Sequence, residues 1–194
     1  MARINLQPPA TPYNRLARWL SRRRYGIEPE PLLAAGHNAR VMTSYALLEG
    51  CVARWRALDP RLKNLAVMAS AHRIGCSWCT DFGYWFAVSQ GLDEAEVSAV
   101  PGWRDSELFG ELDRDVLAYA EAMSGEVGEI TDEQVARLRE RLGEKALVEL
   151  TMIVAVENQR SRFNSALGLA GQGFRDRCEL AAGAPAGRRT VANE

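Results

Sequence analysis

The chain has 194 residues, 47% of them hydrophobic and 25% charged, with a formal net charge of −1. That is the balance of an ordinary globular protein, long enough to bury a substantial core in one domain and without the global charge that would draw it to nucleic acid or anionic membranes. No apolar run approaches the about 18 residues needed to cross a bilayer, and the N-terminus lacks the apolar stretch of a secretory signal, so the default location is cytoplasmic.

Pro8, Pro9, Pro12, Pro29 and Pro31 mark residues 1–37 as an N-terminal arm with short helices. Within it, Asn14 to Tyr25 predicts one helix with Leu16, Trp19 and Leu20 on an apolar face and Arg15, Arg18, Arg22, Arg23 and Arg24 around it. Such a helix suits either a membrane or nucleic-acid contact, or an arm docking its aromatic face on its own domain or a neighbouring subunit; its shortness favours docking.

Helix punctuation dominates residues 38–182. Asp59-Pro60 is an N-cap followed by proline at the first helical position, opening an apolar helix that Gly75 ends after Ile74. Asp81 to Gln90 predicts the next helix, Gly91 its end, and Asp93 the cap of a further short one. Asp105 to Met123 carries Leu108, Leu112, Val116 and Leu117 at helical spacing. Thr131 to Gln134 fits a capping box, and Glu144 to Glu157 is a strongly apolar helix. No segment alternates as a strand would, so the fold class is all-α, with residues 183–194 as a flexible tail.

Cys76-Ser77-Trp78-Cys79 is the chemical signal in this pattern. Two cysteines at this spacing can close a small reversible disulfide, and a helix start favours thiolate over thiol. In a reducing compartment such a pair would cycle rather than act as a permanent staple. Buried inert thiols and a zinc half-site are the alternatives; zinc needs two more ligands, yet Cys51 and Cys178 are isolated and the only histidines are His37 and His72. His72 lies four residues before Cys76 and would stack on the same face if one helix ran through both, making it a candidate proton handler. Asp81 falls in the first turn of the cysteine helix, where it would support the dipole. Glu149 and Glu157 sit on an apolar helix and need partners such as Arg160 or Arg162. The aromatic run Trp78, Phe82, Tyr84, Trp85 and Phe86 suits a core, a subunit contact or the wall of an apolar pocket. A shift of 85 residues lays His72 over Glu157, Cys76 over Ser161 and Cys79 over Asn164, suggesting two similar helical hairpins of which one carries thiols.

Leu62 to Val67, Ile74 to Cys79 and Gln90-Gly91-Leu92, together with the later segment Val154 to Leu169, resemble the alkylhydroperoxidase D-like, carboxymuconolactone decarboxylase superfamily over roughly residues 38–174. The resemblance implies a compact helical domain that forms homo-oligomers, commonly trimers or larger. It implies a cysteine pair that reduces a small peroxide and is re-reduced by a thiol-disulfide partner protein, without a cofactor or metal. The family's redox motif has a glutamate separated from the cysteine pair by eleven intervening residues and a histidine separated from it by three. Here Asn64 and Gly83 hold those two positions, so the usual proton relay is absent. Possible substitutes are His72, Glu149, Glu157, Asn64 and Asp81. Cys76, the earlier thiol, would be the more exposed and exchange with the partner, leaving Cys79 nearer the peroxide. Two other readings are a decarboxylase-like enzyme using Arg73, His72 and Glu157, and a non-catalytic or redox-sensing module of the same fold.

Overall fold

The structure, a computed structural model, describes residues 1–126 and 128–177; Cys178 and the expected tail at 183–194 lie outside the described residues. Among the described residues there are helices and no strands. In chain order they are α1 (Pro12–Tyr25), α2 (Glu30–Ala35), α3 (Ala39–Val52), α4 (Pro60–Ile74), α5 (Ser77–Ser89), α6 (Glu94–Ala99), a 3-10 segment (Val100–Asp105), α7 (Glu111–Met123) and α8 (Asp132–Ala166).

Helix α4 is the centre of the molecule. Leu62, Leu65, Ala66, Met68, Ala69 and Ala71 are all buried, and α5, α7 and α8 pack around it. A helix apolar on most of its circumference can satisfy that pattern only at the middle of a bundle. Asp59 caps its start by accepting the N–H groups of Arg61 and Leu62. Its end is a Schellman turn: Gly75 takes φ +79°, its N–H reaches His72 O, and the Cys76 N–H reaches Ala71 O. Cys76 is thus the last residue of one capping motif and the N-cap of the next helix.

Three boundaries differ from the sequence reading. The helix expected from Asp81 begins at Ser77, because Cys76 caps it. The helix expected from Asp105 begins at Glu111, because the Asp113 carboxylate accepts the Gly110 N–H at 3.0 Å and makes Gly110 the cap; Leu108 is left exposed. The helix expected to stop at Glu157 continues to Ala166. Its start is the predicted capping box, Thr131 with Gln134, and Gly143, at φ +74°, breaks it into the two helices the sequence suggested.

Of the two docking surfaces expected for the apolar face of α1, its own domain is not the one. Leu16, Trp19 and Leu20 are each at least 50% exposed, so the apolar face of α1 does not lie on its own domain. Polar and terminal residues fasten the helix instead: buried Asn14 donates to Pro9 O (2.8 Å) and Gly36 O (2.9 Å), and Tyr25 meets Phe82 and Trp85 edge-on at 5.6 and 5.9 Å. No described helix is long and apolar enough to cross a membrane.

Candidate functional site

Cys76 and Cys79 are joined in a disulfide, their Cα atoms 5.3 Å apart, at the first turn of α5. The Cys76 sulfur accepts the Cys79 N–H at 3.2 Å, filling the place a serine or threonine hydroxyl takes at an ordinary N-cap. Neither sulfur is open to solvent: Cys76 is 1% and Cys79 6% exposed, packed with Ala71 and Trp78. The expectation that Cys76 is the more exposed thiol is therefore corrected. The Schellman turn that aims residue 76 into the helix also tucks its side chain beneath the end of α4.

Facing the pair is one stripe of α8. Glu157, Ser161 and Asn164 are spaced four and three residues apart, so a single helical face carries all three toward α5. Ser161 Oγ lies 3.3 Å from Cys79 Sγ and 2.9 Å from Glu157 Oε1. Asn164 Nδ2 reaches Cys79 Sγ at 3.3 Å and Cys76 Sγ at 3.9 Å, while its buried Oδ1 has no hydrogen-bond partner among the described residues.

Glu157 is 2% exposed. Burial pushes its carboxyl above the usual range, against the opposing pull of Arg160 and Ser161. Arg160 does not neutralise it fully. The guanidinium holds Glu49 on α3 through two bonds of 2.8 and 2.6 Å and spares Glu157 one of 3.2 Å. Two carboxylates share one cation, and Glu157 is the more buried of them. A carboxyl tuned toward neutrality is what proton exchange with a thiol requires. Tyr45 completes the network, its hydroxyl pushed up by burial and then by Glu49.

The other candidates lie elsewhere. His72 precedes the Gly75 break, so no continuous helix stacks it on Cys76. It is exposed and borders an open cavity of about 360 Å³ with Met68, Tyr84 and Arg175; desolvation and then the Arg175 charge push its pKa down. Asn64 donates to Pro60 O within its own helix (3.0 Å). Asp81 accepts the N–H groups of Gln172, Phe174 and Arg175 at 2.7, 3.1 and 2.8 Å, which makes it the anchor of the 171–177 segment. Glu149 binds Lys63 and accepts the Ala57 N–H at 2.6 Å; burial pushes its carboxyl up, but those partners bring it below the usual range. At Gly83 a Cβ would come within 2.7 Å of Met68 Sδ, so that methionine fills the room a side chain would need. Arg73 and His72 are exposed while Glu157 is buried on α8, so the decarboxylase-type set is not assembled. Trp78 stacks on Phe82 at 4.9 Å and meets Phe174 at 6.1 Å, tying α5 to the 174–177 turn. Among the described residues no three His, Cys, Asp or Glu side chains converge as a metal site.

Sequence reasoning named Glu157 and Arg160 but missed Ser161 and Asn164 as site residues. The signal was present in two forms: the four-and-three spacing from Glu157, and the 85-residue register that lays Ser161 and Asn164 over the cysteines they face.

Comparison with known proteins completes the picture. The carboxymuconolactone decarboxylase family pattern matches residues 41–122, which span α4 and α5 and end before α8. The chain is 31% identical over 157 residues to the uncharacterized protein YnjA of Escherichia coli (strain K12), covering 80% of this chain and 86% of that protein. Debrominase Bmp8, in complex with 2,3,4-tribromopyrrole, superposes with a TM-score of 0.78 at 20% identity over 93% of this chain and 99% of its own. An uncharacterized peroxidase-related protein of Ralstonia eutropha JMP134, with an alkylhydroperoxidase AhpD core, superposes with a TM-score of 0.78 at 14% identity over 89% and 94%. The structural likenesses establish a shared fold.

Proposed function

The chain belongs to the carboxymuconolactone decarboxylase and alkylhydroperoxidase D-like superfamily, and from that premise we propose that it is a dithiol oxidoreductase that reduces hydroperoxides through Cys76 and Cys79. The observation that carries this reading is the unbroken chain from the Cys79 sulfur through Ser161 Oγ (3.3 Å) to the buried Glu157 carboxyl (2.9 Å). It supplies a proton path where Asn64 and Gly83 cannot.

In the reduced protein the Cys79 thiol passes its proton through Ser161 to Glu157. The thiolate attacks the outer oxygen of the hydroperoxide, the O–O bond breaks, and the departing alkoxide takes the proton back and leaves as an alcohol. Cys79 is then a sulfenic acid. The Cys76 thiol attacks it, releasing water and forming the disulfide. A dithiol protein returns two electrons and two protons by exchange, becoming a disulfide itself. Because both sulfurs are buried, that exchange requires the first turn of α5 to open. The proposed setting is a reducing compartment such as the cytoplasm, and the proposed assembly a homo-oligomer.

The test is stopped-flow consumption of an alkyl hydroperoxide by the reduced protein and by its Cys76→Ser and Cys79→Ser variants. The expected result is a fast stoichiometric phase in the wild type, retention of one turnover in Cys76→Ser and loss in Cys79→Ser. Equal rates in all three would leave the non-catalytic module as the standing reading.

A further inference from the structure

We propose that Asn164 is the positioning residue that divides the reduced cysteine pair into one thiolate and one thiol, placing the charge on Cys79. The inference concerns the protonation of the dithiol and stands whether or not a hydroperoxide is the oxidant.

Two arrangements compete for the thiolate. Cys76 has the helix: its sulfur accepts the Cys79 N–H at 3.2 Å and sits at the positive end of the α5 dipole. On spacing alone it would be the more acidic thiol. Cys79 has the side chains: Ser161 Oγ and Asn164 Nδ2 both lie 3.3 Å from its sulfur. The Ser161 hydroxyl has a single hydrogen, and Glu157 competes for it at 2.9 Å. The Asn164 amide is therefore the donor that stays on Cys79 when Ser161 turns to Glu157.

The other end of the same amide makes the division. Asn164 is 1% exposed and its Oδ1 has no partner among the described residues in the disulfide form. An amide carbonyl buried without a donor is uncommon and calls for a reason. Reduction supplies the missing donor, because a thiol has an S–H and a disulfide has none. Nδ2 already lies within 3.9 Å of Cys76 Sγ, so the amide reaches both sulfurs. With Nδ2 kept on the nearer Cys79 sulfur as thiolate, the S–H is assigned to Cys76, and Oδ1 is the acceptor the amide has left for it; the reverse order would turn its donor away from the nearer sulfur.

The charged and titratable groups around the pair do not provide this asymmetry. Glu157 on α8 reaches Cys79 only through Ser161, with Arg160 behind it shared with Glu49 beside Tyr45 on α3. Asp81 on α5 is committed to three backbone N–H groups, and His72 on α4 is exposed beyond the Gly75 break.

The experiment is a thiolate titration by ultraviolet absorbance on the reduced full chain, free of peroxide. In a chain that also carries Cys51→Ser and Cys178→Ser, Cys76→Ser and Cys79→Ser isolate each thiol of the pair, and each is combined with Asn164→Leu and Asn164→Asp. The remaining Cys79 is expected to titrate below the ordinary value of about 8.5 and to rise by about one unit or more in Asn164→Leu, and further in the nearly isosteric Asn164→Asp. The remaining Cys76 is expected to move by less than about 0.3 unit in Asn164→Leu, because its N–H donor and dipole are untouched. If Asn164→Leu does not fold, Asn164→Asp decides, its Cys79 value rising more than its Cys76 value. Equal movement of both thiols, or an unmoved Cys79, overturns the assignment. A titration as expected in a protein that consumes no hydroperoxide would retain it and remove the peroxidase reading instead.

Discussion

Ser161 stands between the Cys79 sulfur and the Glu157 carboxyl, 3.3 Å from one and 2.9 Å from the other, with one hydroxyl hydrogen for two acceptors. A group so placed conducts a proton in whichever direction the sulfur demands. Removing the hydroxyl in Ser161→Ala leaves the disulfide and its packing in place but cuts the path. Sulfur oxidation by hydroperoxide is expected to slow by about 10²-fold, at the lower end of general acid–base effects, with little change in the far-ultraviolet spectrum. An unchanged rate would mean that protons reach the sulfur by another route.

His72 offers a contrasting prediction. It is exposed, lies before the Gly75 break and borders the cavity near Arg175 rather than the sulfurs. His72→Ala is expected to leave the oxidation rate within about two-fold, below the threshold of a proton-transfer role. A fall of the size expected for Ser161→Ala would restore it to the site.

Replacing Gly83 by histidine, which would restore the family's side chain at that position, is expected to fail as a rescue. The new Cβ would meet Met68 Sδ at 2.7 Å, against the buried face of the central helix. Thermal melts should show a loss of about 1–3 kcal/mol, the usual cost of overpacking, with no gain in peroxide turnover. Faster turnover in Gly83→His would show that the position still communicates with the sulfurs.

Much of this was legible in the sequence because the helices carry their own punctuation. Asp59-Pro60, Gly75, Asp93 and the Thr131–Gln134 box end or begin elements where their local chemistry demands it. The start of α7 was misplaced because Leu108 continues the apolar spacing while Asp113 caps Gly110, and capping outweighs periodicity at a glycine. The cysteine pair was visible as a motif. Its surroundings were not, because Ser161 and Asn164 are ordinary polar residues whose meaning depends on α8 running on to Ala166 and facing α5. His72 misled for a related reason: sequence distance places it near Cys76, and one left-handed glycine undoes the relation.

Away from the site, Arg61 clamps the bundle by holding Asp113 at 2.7 and 2.9 Å and Glu96 at 3.0 and 2.9 Å. The Arg61 bonds hold the Asp113 carboxyl below its usual range. A carboxyl whose folded pKa is depressed contributes stability above its unfolded value of about 3.9 and loses it as pH falls through the folded value. Asp113→Asn is therefore expected to cost about 1–2 kcal/mol at neutral pH, allowing for solvent around Arg61, and the gap from wild type should close in melts toward about pH 3. A constant gap across that range would assign the loss to packing.

The exposed face of α1 separates association from folding. A Leu16→Ser, Trp19→Ser double variant should keep the far-ultraviolet spectrum of the wild type and change only self-association in sedimentation. Asn14→Ala should lower stability by about 1–3 kcal/mol, because Asn14 is buried and donates to both Pro9 and Gly36. Unfolding of the double variant would show that the face is held within its own chain.

The most direct test of the proton path is the pH dependence of sulfur oxidation in the reduced wild type and in Glu157→Gln. Glutamine keeps the shape and the Ser161 contact but cannot take a proton. The wild-type profile is expected to contain a limb set by a carboxyl above its usual range, and Glu157→Gln to lose that limb together with about 10²-fold in rate. A glutamine variant with the wild-type rate and profile would contradict the path from Cys79 to Glu157.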